Sequence, residues 1–134
     1  MREVEVSRFV PATPRELEGV LDPETIVEYE GSFSVESTEA TETGTLLTLS
    51  GPGIAFGLRF EPHEEGIYYT QDGETGPFES METWLTVDPE DEGSVVTMRS
   101  RVSLGVPLPL SDRLAAWKRK GELKRALDRL AEDV

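Results

Sequence analysis

The 134-residue chain sets 27 acidic against 13 basic side chains, for a formal net charge of −14, and contains no cysteine. That length suits one domain with a sizeable core and is too short for two, and the lack of cysteine excludes a disulfide framework, a thiol nucleophile and any thiolate metal site. No stretch approaches the roughly 18 consecutive apolar residues of a spanning helix, and the start, MREVEVSRFV, lacks the apolar core of a secretory leader, so the sequence predicts a soluble cytoplasmic protein with a single domain over 1–134.

In chain order, Val4, Val6 and Arg8 alternate with Glu3, Glu5 and Ser7, which predicts a strand over about 3–10 that Pro11 stops. Thr13-Pro14-Arg15-Glu16 is a capping box with proline at the first helical position, and Leu17, Val20 and Leu21 follow on one face. Asp22-Pro23-Glu24 opens a second short helix through Ile26 and Val27. From Gly31 the period becomes two. Phe33 and Val35 form one row, Thr45, Leu47 and Leu49 the next, and after a Gly51-Pro52-Gly53 turn come Ile54, Phe56, Leu58 and Phe60. Gly57, in mid-strand, predicts a bulge or bend. Glu65-Gly66 and Asp72-Gly73 bound a strand through Ile67, Tyr68 and Tyr69, and two longer strands follow over about 77–88 and 94–104, joined by Pro89-Glu90-Asp91-Glu92-Gly93. After Pro107 and Pro109 a last helix starts at Ser111 or Asp112 and runs to the C-terminus. Its stripe of Leu123, Leu127, Leu130 and Val134 extends backward through Lys120 and Ala116, while Leu110, Leu114 and Trp117 lie on another, so the helix is expected to change its buried face near Gly121.

Of the 13 basic residues only three are lysine (Lys118, Lys120, Lys124). An acidic surface nearly free of lysine keeps its hydration in concentrated salt, which points to a halophile's cytosol. The charge is also uneven. Residues 1–112 hold 6 basic and 23 acidic side chains, a net of −17, whereas 113–134 hold 7 and 4, a net of +3. The basic residues of the last helix (Arg113, Lys118, Arg119, Lys120, Lys124, Arg125, Arg129) are expected to pair with the acidic sheet around them rather than to dock an anionic membrane or nucleic acid.

The order of strand, two short helices, six-strand antiparallel sheet and long C-terminal helix resembles the helix-grip fold of the START-like (SRPBCC) superfamily, across essentially the whole chain. Local phrases are similar as well: Thr13-Pro14-Arg15-Glu16-Leu17 with Leu21-Asp22-Pro23-Glu24, Gly44-Thr45-Leu46-Leu47-Thr48-Leu49, and Glu92-Gly93-Ser94-Val95-Val96-Thr97. The superfamily includes polyketide cyclase/dehydrase-like and coenzyme-Q-binding-like proteins, plant pollen-allergen relatives and START lipid carriers; the resemblance, here expected to be to a haloarchaeal member, implies an α+β domain with a curved sheet of about seven strands wrapped around the C-terminal helix. It brings no shared catalytic motif, because the superfamily spans carriers, cyclases, receptors and chaperone activators.

The candidate cavity lining is Phe33, Val35, Leu47, Leu49, Phe56, Leu58, Phe60, Met81, Thr83, Leu85, Met98, Ser100, Leu123 and Leu127. Two registers are open for the strand over 77–88. One turns Met81, Leu85 and Val87 inward opposite Val96, Met98, Val102 and Leu104, and leaves Trp84 outside near Arg99 or Arg101; the other turns Trp84 and Glu82 inward, making Glu82 the best general-acid candidate. Thr83 and Ser100 interrupt apolar rows, as locally bonded polar residues or as ligand handles. His63, the only imidazole, reads as a solvated turn residue, and no metal site or cofactor is expected. The favoured function is binding or transport of a hydrophobic small molecule or lipid between sheet and helix. The alternatives are a cyclase/dehydratase-like enzyme using Glu82, Tyr68 or Tyr69, and an adaptor for a protein partner; no nucleic acid and no stable membrane insertion are expected.

Overall fold

The computed structural model describes residues 1–64, 66–73, 75–105 and 110–134. Its elements are β1 (Arg2–Val10), α1 (Pro14–Glu18), α2 (Pro23–Glu30), β2 (Ser34–Ala40), β3 (Thr45–Gly51), β4 (Ile54–His63), β5 (Gly66–Asp72), β6 (Ser80–Glu90), β7 (Gly93–Ser103) and α3 (Ser111–Asp133). Every strand pairing is antiparallel, and the seven strands form one sheet in the order β1-β7-β6-β5-β4-β3-β2. Strands β2 to β7 are a meander, and β1 closes on β7 at the far edge. This is the expected helix-grip architecture. Glu65 of the expected turn, and Pro107 and Pro109 ahead of the last helix, lie outside the described residues.

Local chemistry explains the helical pair. Thr13 Oγ1 accepts the Glu16 amide at 3.2 Å while Glu16 Oε1 accepts the Thr13 amide at 3.1 Å, closing the capping box, and Asp22 Oδ1 accepts the Thr25 amide at 2.8 Å. Helix α2 ends because Gly31 takes the left-handed conformation at φ +77° and donates its amide to the Val27 carbonyl. Arg125 and Arg129, from α3, donate to the carbonyls of Glu30, Glu28 and Tyr29, so two cations sit where the α2 dipole is negative. These bonds tie α3 to α2. The rest of α3 lies over β1 and β7, and Arg8 of β1 pairs with Asp128.

Strand β6 adopts the first of the two registers. Met81 faces Val102, Leu85 faces Met98 and Val87 faces Val96, with Met81 and Leu85 buried. Trp84 stands on the outer face opposite Arg99, whose guanidinium carbon lies 4.2 Å from the indole centroid.

Three expectations are corrected. Gly57 makes no bulge: it pairs in register with Thr48 and Asp72, and the sheet is irregular instead between Val35 and Ser37 of β2. The β6–β7 connection is shorter than expected, because Pro89 and Glu90 pair with Ser94 and Gly93 and leave Asp91, at φ 50°, and Glu92 in the turn. Proline fits there because the β5 ladder ends at Thr86, so no neighbour on that side requires its missing N–H. Helix α3, finally, does not change its buried face. Ala115, Ala116, Arg119, Glu122, Leu123, Ala126, Leu127 and Leu130 form one buried stripe, while Leu110, Leu114, Trp117 and Lys120 are exposed. The first half of that stripe covers polar groups on the sheet, so it carries small and charged residues rather than leucine.

Candidate functional site under the C-terminal helix

The sheet presents one transverse row of facing residues, Ser100 of β7, Thr83 of β6, Tyr69 of β5 and Phe60 of β4, each the direct cross-strand partner of the next. Thr83 and Ser100 are therefore neighbours, with hydroxyl oxygens 2.8 Å apart, and the Phe60 and Tyr69 rings stack at 4.4 Å between centroids. Arg119, only 2% exposed, reaches down from α3 onto this row. Its Nε donates to Ser100 Oγ at 3.1 Å, and one terminal nitrogen donates to Thr83 Oγ1 at 2.8 Å and Tyr69 Oη at 3.1 Å. The other donates to Glu30 Oε1 and, at 3.2 Å, to Glu122 Oε1. The Tyr69 hydroxyl donates to Glu30 Oε2.

The cluster spans α2, α3 and three strands, and every member is buried. Burial alone would favour a neutral Arg119; the charge of Glu30 in particular reverses this and holds the guanidinium above its usual range. Burial, then the charge of Glu30, pushes the Tyr69 hydroxyl well above its ordinary value, so it stays a donor. With its N–H groups engaged by Glu30, Glu122, Tyr69, Thr83 and Ser100, the Arg119 guanidinium is fully satisfied. The small hydroxyls at Thr83 and Ser100 are accounted for: each accepts from Arg119.

Beside the cluster lies a pocket lined by Val27, Glu30, Ser32, Phe33, Leu49, Phe56, Leu58, Gln71, Pro77, Phe78, Met81, Arg119 and Glu122. It encloses about 360 Å³, part of it open to solvent, and its walls meet where Phe33 touches Phe56. Phe33, which lies just ahead of β2, stands edge-on to Phe56 at 4.8 Å and against Gly51, where a Cβ would come within 2.7 Å of its ring. Gln71 holds the segment before β6 by donating to the Phe78 carbonyl at 2.6 Å and accepting the Phe78 amide at 3.2 Å. Glu122 also faces the pocket: its Oε1 accepts from Arg119 at 3.2 Å, and its Oε2 accepts no hydrogen bond among the described residues.

Of the residues expected to line a cavity, Phe33, Leu49, Phe56, Leu58 and Met81 line this pocket. Leu47, Phe60 and Leu123 are packed solidly in the core, Val35 is half-buried on β2, and Thr83 and Ser100 lie under Arg119. Leu85, Met98 and Leu127 border a separate apolar gap of about 190 Å³ on the other side of the interior. In place of one large vessel under the helix there is a small space on either side of the Arg119 cluster, and a larger open cleft lined by Leu17, Leu21, Ile67, Leu85 and Val87 lies apart from both. Glu82 is corrected as an acid candidate, since it lies on the outer face and accepts the Tyr68 hydroxyl at 3.0 Å. His63 ends β4, exposed. Reading the α3 cations as surface partners of the sheet missed Arg119, and Glu30, Gln71 and Glu122 went unread with it. The signal was periodicity: Arg119 stands four residues after Ala115 and four before Leu123, in the middle of the buried stripe.

Over residues 1–134 the chain matches the family described as "Polyketide cyclase / dehydrase and lipid transport". No curated protein matches it. Among solved structures it is similar to a protein of Thermus thermophilus (22% identity, TM-score 0.74, covering 98% of this chain and 95% of that one) and to the XoxI protein of Bacillus cereus (18%, TM-score 0.76, 99% and 95%). A START superfamily protein of Mycobacterium smegmatis is similar too (16%, TM-score 0.69, 98% and 97%). At these identities the likeness shows the fold.

Proposed function

The chain belongs to the polyketide cyclase/dehydrase and lipid transport family, and on that premise we propose that it binds a small hydrophobic molecule bearing one hydrogen-bond donor, with the apolar body between Phe33, Phe56 and Met81 and the donor on Glu122 Oε2. The observation that carries this reading is a largely apolar pocket onto which a carboxylate held by a buried arginine opens, with one of its oxygens accepting no hydrogen bond among the described residues. Apolar walls with few convergent polar groups are what small-molecule sites share. The narrowness of the space makes uptake an opening event, in which Phe33 and Phe78 swing out and the ligand replaces their contacts. In an acidic, lysine-poor chain this chemistry would run in the molar salt of a haloarchaeal cytosol.

A cyclase or dehydratase is less well supported. Glu82 is outside, and the Tyr69 hydroxyl is spent on Glu30, which leaves Glu122 as the acid or base open to the pocket. Amide chemical-shift mapping with 2-naphthol as probe tests the binding reading: shifts are expected to concentrate at residues 31–33, 49–58, 76–81 and 119–122. Shifts confined to the separate cleft of Leu17, Leu21, Ile67 and Val87, or none at all at saturating probe, would refute it.

A further inference from the structure

On the outward side of α3, Leu110, Leu114 and Trp117 recur at spacings of four and three, which puts them on one stripe. They are 57%, 64% and 77% exposed, the last being the most exposed large apolar side chain of the described residues. Around the stripe stand long cations. Arg113 and Lys120 flank one side and Lys118 the other, with Lys124 one turn further on, and Arg113, Lys120 and Lys124 are exposed and form no ion pair among the described residues. Acidic side chains are missing from this face between residues 113 and 121. Asp112 turns back to accept the Leu104 amide, and Glu122 is buried beneath Arg119. In a chain of net −14, a wholly cationic face with a bare tryptophan at its centre is the part that an anionic surface would attract.

We propose that the first half of α3 docks on an anionic lipid surface, with Trp117, Leu114 and Leu110 entering the headgroup boundary and Arg113, Lys118, Lys120 and Lys124 meeting lipid phosphates. Apolar side chains including tryptophan, framed by long basic stems, are the pattern of interfacial helices. The acidic remainder of the protein is repelled by the same surface, so the charge distribution also selects the orientation. A second copy in a symmetric contact would bring these cations against one another, and a nucleic acid would leave three apolar side chains unsatisfied. Lys118 Nζ lies 5.9 Å from the ring centroid of Phe33, which lines the pocket, so docking would set the pocket rim at the lipid boundary. The surface stands independently of what the pocket binds, and its test uses no pocket ligand.

The test is flotation of the full chain with vesicles of phosphatidylglycerol and phosphatidylcholine, or of phosphatidylcholine alone, at the lowest salt at which circular dichroism shows the fold intact. A Trp84→Phe variant leaves Trp117 as the reporter, since the chain has two tryptophans. Expected are co-flotation with anionic vesicles at least roughly tenfold above neutral ones and a blue shift of Trp117 emission. Trp117→Ala with Leu114→Ala, and separately Lys120→Gln with Lys124→Gln, should each reduce flotation by roughly fivefold or more in protein that circular dichroism shows folded. The proposal is overturned by no flotation, by flotation that ignores these changes, by duplex DNA outcompeting vesicles for the same residues, or by self-association that Trp117→Ala abolishes.

Discussion

Arg119 decides the energetics of the interior, because among the described residues it is the cation paired with the buried carboxylates of Glu30 and Glu122. Arg119→Met would strand two acids and is expected to cost about 3–5 kcal/mol in urea denaturation. Adding Glu30→Leu and Glu122→Leu should recover most of that loss, since a fully apolar replacement of a buried ion cluster is often neutral; a triple variant no better than the single one would show that the cluster acts otherwise than as charge compensation. The tyrosines give a second expectation. Burial, then the carboxylate of Asp133, lifts Tyr29 to about 12; burial and Glu82 raise Tyr68; and Tyr69 lies well above its ordinary value. These are all three tyrosines of the chain. A raised pKa on an acid that is neutral when protonated means that its stabilising contribution is whole below the unfolded value near 10 and is lost as pH climbs through the folded value. Phenolate absorbance at 295 nm should therefore appear above pH 10, the last third only with unfolding, and Tyr29→Phe should soften the alkaline loss of stability. A normal tyrosine titration in the folded protein would contradict this. At this scale the sequence was legible in part. Thr83 and Ser100 stood out as hydroxyls in apolar rows, but their shared partner sat on a helix whose other cations face solvent, and only tertiary packing separates the one from the rest.

Among the elements, the meander and its register were legible because period-two rows of Leu, Val and Phe determine which face is buried, and a one-residue slip in β6 would have exposed Met81 and Leu85. The helix-face shift in α3 was misread for the opposite reason. Leucine and tryptophan at 110, 114 and 117 look like core, whereas the residues that do face the sheet are alanine, arginine and glutamate. Two substitutions test how the elements are joined. Gly31→Ala should cost about 1–2 kcal/mol from the left-handed backbone alone, and more because the new Cβ would lie 2.7 Å from the Arg129 guanidinium; a change within 0.5 kcal/mol in chemical denaturation would show that the α2–α3 junction is slack. Trp84→Ala should remove about 0.5–1 kcal/mol of exposed cation–π contact with Arg99, and a double-mutant cycle with Arg99→Ala should report that coupling rather than lost burial.

For the whole molecule, a net charge of −14 repels itself, and salt relieves that repulsion as the Debye length falls from about 10 Å at 0.1 M to about 3 Å at 1 M. The melting temperature is expected to rise with KCl at pH 7, and protonating carboxylates near pH 4.5 should replace much of the salt requirement if repulsion rather than strengthened burial is the cause. A melting temperature flat in KCl would remove the halophilic reading of the composition. The enclosed space was the least legible global property, because the sequence marks which residues face inward but not how far apart opposing layers stand, and here they stand close enough for Phe33 and Phe56 to touch. Whether those walls part for a ligand is the central question. The most direct measurement is the affinity of the wild-type protein for 2-naphthol against 2-methylnaphthalene, together with a Leu49→Trp variant that fills the pocket. The hydroxyl compound should bind roughly tenfold or more tightly, as befits a hydrogen bond to a charged acceptor, and Leu49→Trp, measured at a temperature where circular dichroism shows the variant folded, should abolish both; equal affinities, or binding untouched by Leu49→Trp, would contradict the account.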